Sequence, residues 1–332
     1  MSKNTIAIIG AGAWGTALAI AMTGTGARTI LLARRGEHAE AMRRVRENTE
    51  YLPGIPLPEA LEITAEAKAL EHAGIVLAVP PAQALRSSLS RLGAHIRTDA
   101  PLVLCCKGIE RETGLFMSQV AAETMPDNPV AVLSGPTFAH EVARGLPAAV
   151  TLAAREADLG RRLVTALGRP TFRPYYSPDV TGVEIGGAVK NVIAIACGIV
   201  MGQALGENAR AALIARGLAE VTRLGIALGA RRETMMGLAG LGDLVLTCSS
   251  TASRNTSLGL ALGEGASLQD ILRQRKTVSE GVWTAAALAV LAKERQIDMP
   301  ITRAVNAVLH EGAPIPATID ALLSRPFRAE TG

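Results

Sequence analysis

The sequence predicts an α/β N-terminal domain built on a doubly wound parallel sheet, followed by an all-α C-terminal domain. Three observations carry this expectation. The chain has 332 residues, more than one hydrophobic core usually serves, so two domains are expected. Its first half alternates short β-branched runs with helix-length amphipathic stretches, the pattern of repeated βαβ units. Beyond about Thr181 the texture changes to long Ala, Leu, Ile and Gly runs of helical period. The boundary is placed between residues 182 and 183, giving an N-terminal domain of residues 1–182 and a helical domain of residues 183–332.

In chain order, the apolar β-branched runs predict strands at residues 5–9, 29–33, 75–79, 102–105, 130–133 and 149–153. Amphipathic helix patterns fall between most of them, as at residues 13–26 and 113–125. In the second half the helical period is sustained over residues 187–206 and 209–228. The small residues Gly186, Gly187, Ala188, Ala194 and Gly198 call for helices packed at close range, a tight bundle.

Composition narrows the class. Apolar residues make up 48% and charged residues 19% of the chain, which is globular and not disordered. Apolar stretches such as residues 193–200 read as too short to cross a bilayer, and residues 1–5 lack the layout of a signal peptide. A cytoplasmic protein without a membrane span is expected. Cys105, Cys106, Cys197 and Cys248 show no metal-ligand spacing and read as reduced core thiols. The net charge of +4 is spread along the chain and aromatics are only 3%. That speaks against nucleic acid and suits an anionic small molecule.

The run Ile6-Ala7-Ile8-Ile9-Gly10-Ala11-Gly12-Ala13-Trp14-Gly15 is a buried strand, then G-x-G-x-x-G, then a helix pattern. This is the Rossmann-type dinucleotide turn: Gly10 for the tight turn, Gly12 for approach of the pyrophosphate, Gly15 for helix-to-strand packing. An ordinary glycine turn is the plain alternative. After the second strand, where an NAD-selective protein carries a carboxylate, stand Arg34 and Arg35. A 2′-phosphate fits two guanidinium groups, so NADP(H) is favoured with NAD(H) possible. A solvated arginine pair is the alternative.

Only six of the 34 basic residues are lysines, which draws the eye to Lys107 and Lys190. Lys107 ends a strand pattern at the carboxyl edge of a parallel sheet, where such folds bind ligands. Lys190 stands in a helical run with almost no other charge, and burial would lower its pKa toward proton exchange with a carbonyl oxygen. Asp243, alone in Gly240-Leu241-Gly242-Asp243-Leu244, is its candidate partner. Plain readings are a surface lysine, a structural ion pair and a helix cap. Residues 247–255, ending in Ser253-Arg254-Asn255, gather groups suited to phosphate oxygens, though polar loops of this kind are often only loops. None of the five histidines follows a strand end.

The blocks GAGAWGTA (10–17), CKGIERET (106–113), SGPTFAHEVARGLP (134–147), GGAVKNVIA (186–194), GLGDLVLTC (240–248) and SRN (253–255) resemble the bacterial NAD(P)-dependent glycerol-3-phosphate dehydrogenases. The resemblance runs from Ile6 to about Thr318. It implies reversible reduction of dihydroxyacetone phosphate to sn-glycerol 3-phosphate, which supplies the phospholipid backbone in bacteria. It implies Lys190 as acid/base beside Asp243 and Lys107, with Gly135, Thr137, Ser253, Arg254 and Asn255 completing the substrate site. It implies Ala13, Trp14, Arg34, Arg35, Lys107, Ala139, Arg254, Val278 and Glu280 at the cofactor. Competing readings are a two-domain 3-hydroxyacid or ketopantoate-type reductase, against which the Ser253-Arg254-Asn255 segment speaks, and a non-catalytic NADP-binding sensor. A homodimer is expected from the glycine-rich apolar helices.

Overall fold

A computed structural model describes residues 5–274, 279–326 and 329. Eight strands form one sheet in the order β10-β9-β8-β7-β6-β1-β2-β5. They are β1 (Thr5–Ile9), β2 (Arg28–Leu32), β5 (Leu61–Thr64), β6 (Ile75–Ala78), β7 (Leu102–Leu104), β8 (Val130–Ser134), β9 (Ala148–Ala153) and β10 (Phe172–Ser177). A separate hairpin pairs β3 (Glu47–Asn48) with β4 (Leu52–Pro56).

All six expected strands are present, within a residue or two of their predicted ends. The sheet is not wholly parallel: β9 runs antiparallel to β8, with Val132 opposite Ala153, and β10 lies parallel to β9. Strands β5 and β10 were not expected. Both are edge strands, and β10 carries Pro174 and exposed Arg173 and Tyr175, features that make a run read as non-strand and that suit an edge.

Alternation along β1 builds both faces of the sheet. Ile6 and Ile8 join the core under the Ala13–Thr23 helix, while Ala7 and Ile9 join the core on the opposite face. The chain leaves β1 for β2 on one side and later fills β6 on the other. The strand order therefore reverses beside the carboxyl end of β1, and a crevice opens there.

The second half is helical, as expected, but its central helix is longer than the sequence pattern suggested. It spans Val180–Gly202, so the 182/183 boundary falls within its first turn. Asp179 caps it, accepting from Gly182 N at 2.8 Å and from Arg231 N at 2.8 Å. By length and composition this helix could cross a bilayer, contrary to the reading of short apolar stretches, yet 83% of its apolar window is buried inside the chain. Around it lie helices Gly206–Ala227, Arg254–Gly263, Glu280–Glu294 and Pro300–His310. The tight packing expected from small residues is real: a Cβ on Gly259 would sit 2.0 Å from the Ile195 carbonyl oxygen.

Candidate functional site

The crevice beside β1 is shaped by its glycines. Gly10 has φ +108°, and a Cβ there would lie 2.9 Å from the Val79 carbonyl oxygen. A Cβ on Gly15 would lie 1.8 Å from the Gly10 carbonyl oxygen. Nothing stands within 4 Å of the Cβ position at Gly12, and the Ala13–Thr23 helix begins there with no side-chain cap. Its first amides are therefore available to phosphate oxygens. The Trp14 indole N–H is buried with no partner among the described residues. The cradle fits a dinucleotide.

Sequence reasoning missed the device that holds this loop. Buried Asn48, on the hairpin, donates to the Ala11 carbonyl at 3.0 Å and to Thr16 Oγ1 at 2.7 Å. Arg34 and Arg35 project exposed beyond β2, and Arg35 pairs with Glu50 at 2.5 Å. An exposed pair of that kind contributes roughly 0–1 kcal/mol, so the guanidinium is readily exchanged to a stronger anion. Val278 lies outside the described residues. Glu280 faces the same crevice, its Oε1 accepting from Ala82 N at 3.0 Å and its Oε2 buried without a partner among the described residues. Burial raises the Glu280 carboxyl above the usual range.

The two singled-out lysines converge on one carboxylate. Asp243 opens the Asp243–Cys248 helix and is 0% exposed. The π-helical turn Leu238–Gly242 before it presses against the central helix at Gly186, where a Cβ would lie 2.3 Å from the Ala239 carbonyl oxygen. Lys107, three residues past β7, donates to Asp243 Oδ2 at 2.7 Å and to the Gly135 carbonyl at 3.1 Å. Lys190 donates to Asp243 Oδ1 and, at 2.9 Å, to Thr247 Oγ1. Thr247 itself donates to the Asp243 backbone carbonyl at 2.6 Å. Thr247 stands four residues after Asp243 on a helix, and that spacing was the available signal for it.

Lys190 is 7% exposed. Burial pushes its pKa down to about 8, with Asp243 opposing and Lys107 reinforcing the shift. An amine in that range gives and takes a proton near neutral pH.

The Ser253-Arg254-Asn255 segment borders the same space. Ser253 caps the Arg254–Gly263 helix through Thr256 N at 3.2 Å, and Arg254 is exposed at the first helical position. Asn255 is more committed than expected: its Oδ1 accepts from Gly281 N at 3.1 Å and its Nδ2 donates to Asn191 Oδ1 at 2.9 Å. One Nδ2 hydrogen remains beyond that bond. Asn191, next to Lys190, was not singled out from the sequence. Gly135 directly follows β8 with φ +151°, Thr137 Oγ1 donates to its carbonyl at 3.2 Å, and Ala139 begins the short helix Ala139–Ala143.

Two family models match the chain, those for the N-terminus and the C-terminus of NAD-dependent glycerol-3-phosphate dehydrogenase, over residues 5–159 and 179–320. The chain is 51% identical to a glycerol-3-phosphate dehydrogenase [NAD(P)+] of Parvibaculum lavamentivorans over 331 residues, covering 100% of this chain and 99% of the relative. It is 55% identical to that of Rhodospirillum rubrum, covering 98% and 94%. Among solved structures, glycerol-3-phosphate dehydrogenase of Coxiella burnetii superposes with a TM-score of 0.93 at 40% identity, over 97% of this chain and 99% of that one. A ketopantoate reductase of Ralstonia eutropha shares the fold alone, with a TM-score of 0.60 at 15% identity over 96% of this chain and 99% of that one.

Proposed function

Because the chain belongs to the NAD-dependent glycerol-3-phosphate dehydrogenase family, we propose that its two-lysine site carries out the reversible reduction of dihydroxyacetone phosphate to sn-glycerol 3-phosphate, the step that feeds glycerophospholipid synthesis. The enzyme is an NAD(P)-dependent oxidoreductase. The observation that carries the site reading is a buried ammonium, Lys190, and a second, Lys107, on the two oxygens of buried Asp243.

When bound, the reduced nicotinamide supplies hydride to the carbonyl carbon of the substrate. Gly10, Gly12, Ala13, Trp14 and Gly15 hold the pyrophosphate side, Arg34 and Arg35 the adenosine side, and Ala139, Arg254, Val278 and Glu280 the remainder, with Lys107 shared between ligands. Lys190 gives its proton to the carbonyl oxygen in reduction and takes it back in oxidation, with Asp243 and Thr247 fixing the amine's direction. Lys107 steadies the developing oxygen charge. Gly135, Thr137, Ser253, Arg254 and Asn255 hold the substrate, Arg254 and Asn255 at its phosphate. Anchoring a phosphate that does not react orients the carbonyl and lowers the barrier.

Residues 1–182 form the cofactor domain of this reading and residues 183–332 the substrate domain. The working assembly is a cytoplasmic homodimer; exposed Leu205, Ile226 and Val290 on the helical half supply apolar surface for it. The glycine-rich helices do not, since their small residues are spent inside the chain.

The test follows nicotinamide absorbance with dihydroxyacetone phosphate, and separately with dihydroxyacetone. Rapid oxidation of the reduced cofactor with the phosphate ester alone is expected. No turnover with either substrate contradicts the proposal.

A further inference from the structure

We infer that Glu184 is a positioning residue for this reaction: it clamps the helix that carries the proton donor to the domain that carries the hydride donor. The inference rests on the proposed reading of the site. Glu184 lies six residues before Lys190 on the Val180–Gly202 helix, about 9 Å along its axis. Its Oε1 accepts from the Ser118 backbone N–H at 2.7 Å and its Oε2 from Ser118 Oγ at 2.5 Å. Ser118 is the second residue of the Met117–Thr124 helix, on the N-terminal side of the molecule. A carboxylate is thus placed against the first turn of that helix, where backbone N–H groups favour negative charge.

Glu184 is one point on a longer seam. Residues 184, 187 and 191 recur at i, i+3 and i+7 and share a helix face. One turn from Glu184, Gly187 brings the helix backbone against the sheet edge: a Cβ there would lie 2.6 Å from Ser134 Oγ and 3.5 Å from Lys107 Cγ. Glu184, Gly187, Lys107, Cys106 and Ser134 line one small cavity beside Lys107. Ser134 Oγ is buried there without a partner among the described residues. Burial pushes the Glu184 carboxyl up to about 7, against the donors of Ser118, so it sits in the seam at a desolvation cost.

The consequence is geometric. Lys190 and Asp243 both belong to the helical half and stay together if the clamp is lost. Lys107 and the cofactor cradle belong to the sheet. Releasing Glu184 lets the two halves shift, and a misplacement of about 1 Å between reacting groups costs on the order of 10²-fold in rate. The main anchors of each ligand stay intact on one half, the glycine loop and arginines of the sheet for the cofactor and Arg254 and Asn255 of the helices for the substrate phosphate, so the KM values move much less.

The experiment compares kcat and both KM values for the wild type, Glu184→Ala, Glu184→Gln and Ser118→Ala, each checked by thermal melting. Glu184→Ala is expected to lower kcat about tenfold or more, with both KM values within about threefold of wild type. Glu184→Gln, which keeps an acceptor for Ser118 N–H, is expected to recover most of that loss. A folded Glu184→Ala enzyme with wild-type kcat overturns the inference, as does a loss in which both KM values rise as far as kcat falls. If Glu184→Ala does not fold, Ser118→Ala decides: a smaller kcat loss at unchanged melting temperature supports the clamp, and wild-type kcat overturns it. Failure of the underlying reading looks different, because the wild type itself then does not reduce dihydroxyacetone phosphate, and the inference falls with it.

Discussion

Lys107 reaches across the molecule to Asp243, 136 residues away in sequence, with its Nζ 2.7 Å from Oδ2. The opposite oxygen of that carboxylate receives Lys190. The sheet edge and the central helix are therefore joined through one buried acid. Breaking such a pair by removing one partner typically costs 3–5 kcal/mol, because the remaining charge is left buried. The catalytic arrangement is thus also one of the contacts between the two halves, beside the Glu184–Ser118 clamp.

Lys190→Ala is expected to lower kcat by roughly 10²- to 10⁴-fold, the usual contribution of a placed acid/base. Binding of NADPH, followed by protein fluorescence quenching, is expected to stay near wild type, since the cradle residues lie on the sheet. Near-normal turnover in this variant would remove the acid/base role.

Arg254→Ala is expected to raise KM for dihydroxyacetone phosphate at least about tenfold, the loss of a charge-assisted phosphate contact. Slow reduction of dihydroxyacetone, which has no phosphate, should change much less when the cofactor is saturating. An unchanged KM for the phosphate ester rules out a phosphate contact at this position.

Replacing both Arg34 and Arg35 by alanine is expected to raise KM for NADPH by about tenfold and to leave KM for NADH within about twofold. The Arg35–Glu50 pair is exposed, with side chains 48% and 32% accessible, so its loss costs little stability. Equal effects on the two cofactors would show that these arginines do not read the 2′-phosphate.

Glu220 is 1% exposed and accepts from Ile301 N at 2.6 Å, Thr302 N at 3.1 Å and Thr302 Oγ1 at 3.1 Å. It caps the Pro300–His310 helix from a neighbouring helix. Glu220→Ala leaves those donors buried and unpaired, at a cost of about 3 kcal/mol. Thermal melting should fall by several degrees while KM for both ligands holds. An unchanged melting temperature would mean that this cap contributes nothing.

The parts of the fold that were legible are those whose own residues carry the signal. Strands β1, β6, β7 and β8 lie inside the sheet and read as short apolar runs. Strands β5 and β10 sit at its edges, where Glu62, Arg173 and Pro174 interrupt the run. That β9 opposes β8 could not be read at all, because a strand's direction depends on its connections and not on its residues. In the site, Lys190 and Asp243 stood out as single charges in apolar surroundings. Asn48, Asn191 and Glu184 did not, because a polar residue gains a role only from partners far off in sequence. Asn48 is 37 residues from the Ala11 carbonyl it holds, and Glu184 is 66 from Ser118.

The most direct test of Lys190 as proton donor is the pH dependence of kcat/KM measured in both directions, since it reports the ionisation of the free enzyme. Burial places the Lys190 pKa at about 8. Reduction needs the ammonium form and is expected to decline as pH rises through about 8; oxidation needs the neutral amine and is expected to climb through the same range. Parallel profiles in the two directions, or a flat profile there, would contradict the account.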